Sequence, residues 1–553
     1  MSVYFSKHVV MLKIVFLVLI CCLFSFKNVC FTQVVLDYNN TKAYVTANGS
    51  VFRQQSTFGG YFVTKDFPRS IVMNLSFAFV AKDANNQIHV SNKFQYSDDV
   101  IYQGPVTSNY SDPDYQGKWF NKIWKISQVE IDHFVALFNC NHGVISAGCD
   151  TISALSNEVL NTIYTWPGNG DVSKGQQAQL APYNDINGNG IYEPQLGEHP
   201  IIKGMSAVYI IQNEEADHYL ENNSIETMGL EFHTMIYQFK AYNKLNNSTF
   251  IDLTVFNRSS MNYPQFIVSL FADSDVGDFS DDYAGCDSTK NLMYFYNGDG
   301  LDQVYQNVDS LGNLPPAFGI VSLNHNLLSC VFPEFTSNQP FPDTIPHPVV
   351  SGREAFWNTL NGLISYGDPY LTPSGRPTKF LFHGNPSVAS QWSEVTANRP
   401  AGDRSGRIST RPINLPIGAK ETYTFGLVYE RSGSRFQNVN QLLSDIPLYQ
   451  QACNTDFQTY YYPTIYANTN EIQFSDLVVY PNPASDVVRI ACDAGMCNES
   501  FCSIYNLEGQ KLLEVELTSS SNTIHVSDLQ NGTYLLKIEK KGVIQIQKLV
   551  VNK

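Results

Sequence analysis

LVVYPNPASDVVRI, Leu477 to Ile490, sets two prolines against a run that is otherwise strand-like. Proline has no backbone N–H and fixes φ, so Pro481 and Pro483 cannot lie inside a paired ladder and belong at an edge or at the head of a strand. The stretch therefore marks a beginning. Beyond it VVRIA, FCSIYN, KLLEVEL, TIHV, TYLLKIE and VIQIQKLVV recur, with turns at LEG, QNG and KKG. Short strands separated so regularly by turn residues predict an immunoglobulin-like β-sandwich over residues 476–553.

Working back toward the N-terminus, the Asn/Tyr/Thr-rich segment 454–475 has neither a helical nor a strand period and reads as a linker. The body, residues 31–453, is long enough for two subdomains. Runs such as IVMNLSFAFVAKD, MGLEFHTMIYQFKAYN, STFIDLTVFNRSS, FIVSLFAD and ETYTFGLVYER alternate with Asn/Gly/Asp turns, so the body is expected to be mainly β. Two helices interrupt it. Ser127 and Glu130 form a capping-box pattern ahead of Val129, Phe134, Val135 and Phe138 at helical spacing. Leu442, Leu443, Ile446 and Tyr449 form a second stripe, which Pro447 is expected to kink or end early.

Hydrophobic residues make up 43% of the 553, charged residues 16%, and the formal charge is −16. Such an acidic chain disfavours phosphate backbones and anionic lipid and favours cations, so nucleic acid is set aside as a partner. At the N-terminus Lys7, His8 and Lys13 precede the apolar run IVFLVLICCLFSF, the pattern of a signal peptide over residues 1–30. No second long apolar run follows, so no transmembrane segment is expected in the mature chain. Of the 11 cysteines, Cys21, Cys22 and Cys30 lie in this leader. The even remainder suits an oxidising compartment, with Cys140 and Cys149 the best disulfide candidates.

The ordered set YPNP (Tyr480, Pro481, Asn482, Pro483), NLEGQ with Gly509, LQNGTYLLKI with Gly532 and Tyr534, and the terminal QKLVV with Lys548 resembles the type A C-terminal sorting domain of type IX secretion cargo in Bacteroidota. The resemblance implies passage through the periplasm, recognition by the type IX machinery, and release or attachment to surface polysaccharide. The body is similar, in WPGNG, LAPYNDINGNGIYEPQLGEHP, FNRSS, DDYAGCDSTKNLMYFYNGD and RPAGDRSGRIS, to a group of large secreted Bacteroidota proteins with the same tail. That likeness implies a location and an architecture, but no reaction.

DINGNG carries oxygen-bearing side chains at alternate positions, Asp185, Asn187 and Asn189, before a turn-forming glycine. Such a loop can wrap calcium, with the Ile191 carbonyl as a further ligand. The twelfth position, which an EF-hand fills with glutamate, is Leu196, so Glu193 and Glu198 are the expected substitutes. The alternative is an Asn-Gly turn without metal. A second candidate is ADSDVGDFSDDYAGCD, where Asp273, Asp275, Asp278, Asp281, Asp282 and Asp287 would repel one another unless solvated or neutralised by a cation.

The sequence has no HExxH, no GxSxG and no phosphate-cradling glycine loop. The expectation is a surface or released protein, braced by calcium and acting by binding or scaffolding. Its rivals are a secreted hydrolase of polysaccharide or protein, and a carbohydrate-binding surface protein.

Overall fold

The computed structural model describes residues 32–47, 51–52, 59–67, 69–91, 102–144, 149, 152–215, 227–241, 243–302, 311–332, 352–457, 478–491, 500–506, 511–519, 521–540 and 543–553. The leader, most of the linker, His218, Gly509, Cys492 and Cys497 lie outside them. The chain is mainly β and divides into two units, one of Met1–Asn139 with Ala154–Tyr462 and the other of Cys140–Ser153 with Pro463–Lys553.

Among the described residues, two nine-stranded sheets make up most of the body's β-structure. The first runs in the order Gln33–Leu36, Thr41–Thr46, Tyr61–Val63, Val72–Lys82, Tyr263–Ser274, Ser405–Thr410 and Leu327–Val331. The second runs Asp282–Asp287, Leu292–Asn297, Ala317–Ser322, Lys420–Glu430, Ser248–Asn257, Leu230–Gln238, Ser206–Asn213 and Tyr102–Gln103. Strands Ile88–Ser91, Ile413–Leu415 and Trp124–Ser127 pair alongside these paths.

A two-residue period decides which side chains meet between the sheets. In Ser248–Asn257, Ile251, Leu253 and Val255 enter the core shared with Phe77, Phe79, Val268 and Leu270 of the first sheet. Phe250 points to the opposite face, where Tyr237, Val428 and Tyr294 join Val439, Leu442, Ile446 and Tyr449 in a second core. Phe79 lies 4.8 Å from Phe232 and Phe77 lies 5.8 Å from Phe425, centroid to centroid, contacts that link the two sheets directly. Both faces of the second sheet are covered, so its strands read as nearly continuous apolar runs rather than clean alternations.

Helix Gln128–Asn141 starts at the capping box. The Ser127 N–H donates to Glu130 Oε2 at 2.7 Å, and the Glu130 N–H donates back to Ser127 Oγ at 3.3 Å. Ile131 and Phe134 are its buried residues, whereas Val129 is exposed. The second helix departs from expectation, because Arg435–Asn454 continues through Pro447. Val439, Leu442, Ile446, Tyr449 and Ala452 are buried on either side of the proline, so packing outweighs the lost hydrogen bond. Pro447 itself is exposed. Among the described residues, no helix is long and apolar enough to cross a membrane.

Next to the end of strand Ser206–Asn213, Glu214 is buried and accepts the amides of Met228 at 2.8 Å and Leu230 at 3.0 Å. Burial, with Glu215 adding to it, pushes its pKa up to about 7 from 4.5. A carboxyl whose folded pKa is raised binds its proton more tightly in the native state. Its contribution is complete below about pH 4.5 and is lost as pH rises through about 7. Glu214→Gln is therefore expected to remove a pH-dependent loss of up to about 3 kcal/mol. Urea unfolding of both proteins at pH 5 and pH 8 measures it, and parallel pH profiles are the contrary result.

The tail forms its own sandwich. Val478–Tyr480, Val487–Ala491 and Ser521–His525 make one sheet, and Lys511–Leu517, Ser500–Tyr505, Gly532–Lys540 and Val543–Val551 make the other. Val488, Ile490, Ile504, Leu517, Ile524, Leu536, Ile538 and Leu549 fill the space between them.

Candidate functional site

The first sheet's strand Tyr263–Ser274 and the second sheet's edge strand Asp282–Asp287 are joined by residues 275–281, which cross from sheet to sheet. Most of the predicted acidic residues gather at this crossing, together with two others. Carboxylate oxygens of Asp273, Asp275 and Asp403 lie within 4.8 Å of one another. Asp302 accepts the amides of Asp278, at 2.8 Å, and Leu311. Gly277 permits the close approach: it has φ +95°, and a Cβ there would meet the Asp302 carboxylate at 2.2 Å.

Asp282 is 0% exposed; its Oδ2 accepts the Val276 amide at 2.8 Å, while its Oδ1 has no hydrogen-bond partner among the described residues. Among the described residues the buried oxygen Asn297 Oδ1 is likewise without a hydrogen-bond partner. Burial and the surrounding carboxylates raise the pKa of Asp275 to about 7 and of Asp281 to about 6, and lift Asp282 well above its ordinary range. Arg69, 3.6 Å from Asp275, opposes this. A hard divalent cation held by oxygen ligands would neutralise such a group.

Asp287 is not brought to the cluster. It stands at the other end of strand Asp282–Asp287, about 17 Å along at the usual strand rise. There it accepts from the Thr289 amide at 2.9 Å and pairs with Lys290 Nζ at 2.8 Å. Asp302 and Asp403 are absent from the sequence reading because they come from separate segments. The topology, rather than a local motif, unites them with the crossing.

The DINGNG loop folds around its own side chains. Asp185 Oδ1 accepts the amides of Gly188 at 2.8 Å and Asn189 at 3.2 Å, and its Oδ2 accepts that of Gly190 at 2.8 Å. Asn187 and Asn189 direct their amide groups onto Glu193 Oε2, at 3.1 and 2.6 Å. Glu198 is committed elsewhere: it is fully buried and accepts the amides of Ile186 at 3.1 Å and Glu193 at 2.7 Å. Ile191 follows the turn, its amide donating to Asn189 Oδ1 at 2.7 Å. Asn187 and Asn189 thus meet at Glu193, Asp185 gathers the amides of the turn, and Glu198 pins the backbone behind them.

A cavity of about 560 Å³ opens on the outer face of the second sheet, lined in part by Lys203, Tyr209, His233, Asp252, Thr254, Thr422 and Asp456. Lys203 Nζ pairs with Asp252 at 2.8 Å and with Asp456 at 2.7 Å. His233 lies between Glu231 Oε1, 2.9 Å from its Nε2, and the Tyr209 hydroxyl, 3.2 Å from its Nδ1. Both ring nitrogens are committed. Glu231 is fully buried and also accepts from Arg258 at 3.2 Å and from the Val106 amide at 2.7 Å. These residues are scattered through the chain, so no local signal joined them.

Cys140 and Cys149 are joined by a disulfide.

In the tail, the YPNP turn ties the first strand to the last. Asn482 donates to the Lys548 carbonyl at 2.7 Å and accepts the Val550 amide at 2.8 Å, while the Ala484 amide donates to the Val550 carbonyl at 2.8 Å. Gly532 opens the strand that pairs with the C-terminal one, and the Tyr534 hydroxyl closes on the Gln530 carbonyl at 2.8 Å. Tyr480 is exposed beside Pro481 and Pro483, and Lys548 is exposed on the last strand. Residues 478–552 match the family described as a secretion system C-terminal sorting domain.

The tail is a type IX sorting domain. The chain is accordingly a cargo that engages the type IX machinery and passes through the periplasm to the outer-membrane surface or the medium. No curated protein matches the chain. Among solved structures, a polysaccharide lyase is similar at 6% identity and a TM-score of 0.18, over 62% of this chain and 35% of the lyase. A putative aldose 1-epimerase from Escherichia coli K12 is similar at 9% identity and a TM-score of 0.24, over 73% of this chain and 100% of the other. The heparan sulfate lyase HepC mutant from Pedobacter heparinus aligns at 9% identity and a TM-score of 0.22, over 95% of this chain and 42% of the lyase.

Proposed function

We propose that the exported body is a calcium-braced β-sandwich that works by binding at the cell surface or in the medium, rather than by breaking bonds. The observation that carries this reading is Asp282, a fully buried carboxylate beside Asp275, Asp281 and Asp302 with one oxygen that finds no partner among the described residues. A buried ionised group without a partner is strongly unfavourable, and a hard cation is the partner that oxygen ligands of this kind suit. The DINGNG loop supplies a second calcium position, through Asp185, Asn187, Asn189, the Ile191 carbonyl and Glu193. Of the other predicted ligands, Asp273, Asp275, Asp278, Asp281 and Asp282 belong to the crossing, and Glu198 supports the loop from behind.

Chelation is expected to lower the melting temperature of the purified chain, and Asp185→Ala to remove part of that calcium dependence. Equal melting with calcium and with chelator, in parent and variant alike, rejects both sites.

The cavity beside His233 offers a place for a small ligand. Its carboxylates, lysine and threonine hydroxyls suit a neutral polyhydroxylated group, such as one unit of a surface glycan. The feature that favours a hydrolase instead is the Glu231–His233–Tyr209 chain. In it the imidazole joins a buried carboxylate to a hydroxyl, the order of a carboxylate–histidine–hydroxyl relay.

A further inference from the structure

The two sheets end side by side in edge strands, Asp282–Asp287 in the second and Leu327–Val331 in the first. Segment 379–382 hydrogen-bonds to both. The Cys330 amide donates to the Lys379 carbonyl at 2.8 Å, and the Leu381 amide donates to the Cys330 carbonyl at 3.0 Å. From the other edge, the Cys286 amide donates to the Phe382 carbonyl at 3.2 Å, and its thiol approaches the Leu381 carbonyl at 3.1 Å. One short segment thus draws the two cysteines into a common part of the core, where Cys286 is 1% and Cys330 0% exposed. Burial raises the Cys330 thiol well above its ordinary value, and the neighbouring Cys286 thiol is the next cause.

Both are free thiols in this structure; we propose that Cys286 and Cys330 are joined by a disulfide in the exported protein, a staple between the two sheets at the edge that segment 379–382 closes. Two adjacent buried thiols in a cytosolic protein would be small apolar fillers. In a cargo that crosses the periplasm they meet a compartment in which disulfides form and persist. The step is a two-electron oxidation: both thiols lose their protons, the S–S bond forms, and the disulfide of a periplasmic thiol oxidase is reduced to its dithiol. Because neither sulfur is accessible in the folded chain, the bond forms before segment 379–382 closes over the pair. It joins residues much farther apart in the chain than Cys140 and Cys149, whose separation is 9, and constrains the unfolded chain correspondingly more.

The test uses the full chain recovered from the medium or cell surface, with free thiols alkylated under denaturing conditions before digestion without reductant. The expected product is a Cys286 peptide linked to a Cys330 peptide, two hydrogens lighter than the pair of free thiols. Recovery of both as alkylated thiols, or linked to other cysteines, overturns the proposal. Reduction is also expected to lower the melting temperature by several degrees more in the parent than in the Cys286→Ala/Cys330→Ala variant. Equal sensitivity of the two proteins would overturn it as well, and the peptide map decides the matter if the variant does not fold.

Discussion

A chain that ends at residue 475 is expected to fold and accumulate in the periplasm, with almost none reaching the outer-membrane surface or the medium. The reason lies in how the sorting domain is built. Its first turn and its last strand are a single hydrogen-bonded unit, through Asn482 to Lys548 and Val550 and through Ala484 to Val550. Fractionation followed by blotting for the body distinguishes the outcomes, and normal surface delivery of the truncated chain would sink the assignment. Asn482→Ala provides a milder version, because it removes two hydrogen bonds and costs the tail about 1–3 kcal/mol. Reduced export at unchanged body stability is the expected result.

The second large effect concerns the sign of Asp282→Asn. In the metal-free protein near neutral pH, Asp282 carries an unfavourable buried carboxyl, raised by burial and by Asp275, Asp281 and Asp302. Replacing it with a neutral amide then stabilises the fold, by on the order of 2 kcal/mol. With calcium bound, the same change removes a charged ligand and destabilises by a comparable amount or more. The variant should therefore melt above the parent in chelator and below it in calcium. A shift of the same sign in both conditions means that the crossing holds no cation.

Much of the architecture is legible in the sequence, for local physical reasons. The prolines of YPNP, the QNG turn and the capping box of Ser127 and Glu130 act within a few residues, and the fold keeps them. Pro447 misleads, because the tertiary packing of Leu442, Ile446 and Tyr449 overrides a local helix breaker. The acidic crossing is half legible. Asp273, Asp275, Asp278, Asp281 and Asp282 are neighbours in sequence, but Asp302 and Asp403 arrive through sheet topology. Asp287 leaves because a six-residue strand carries it away. The cavity is not legible at all. In strand Leu230–Gln238 one face, Leu230, Phe232 and Ile236, serves the inter-sheet core, while Glu231, His233 and Met235 face outward under a covering layer. A run buried on both faces hides which of its side chains line a space.

The most direct measurement is the calcium content of the full chain recovered after export, desalted into metal-free buffer, for the parent, Asp282→Asn and Asp185→Ala. Bound calcium in the parent, reduced in each variant separately, is the predicted result and places one ion at the sheet crossing and one at the DINGNG loop. A parent chain that carries no calcium, and gains none when calcium is added back, contradicts a calcium-braced sandwich.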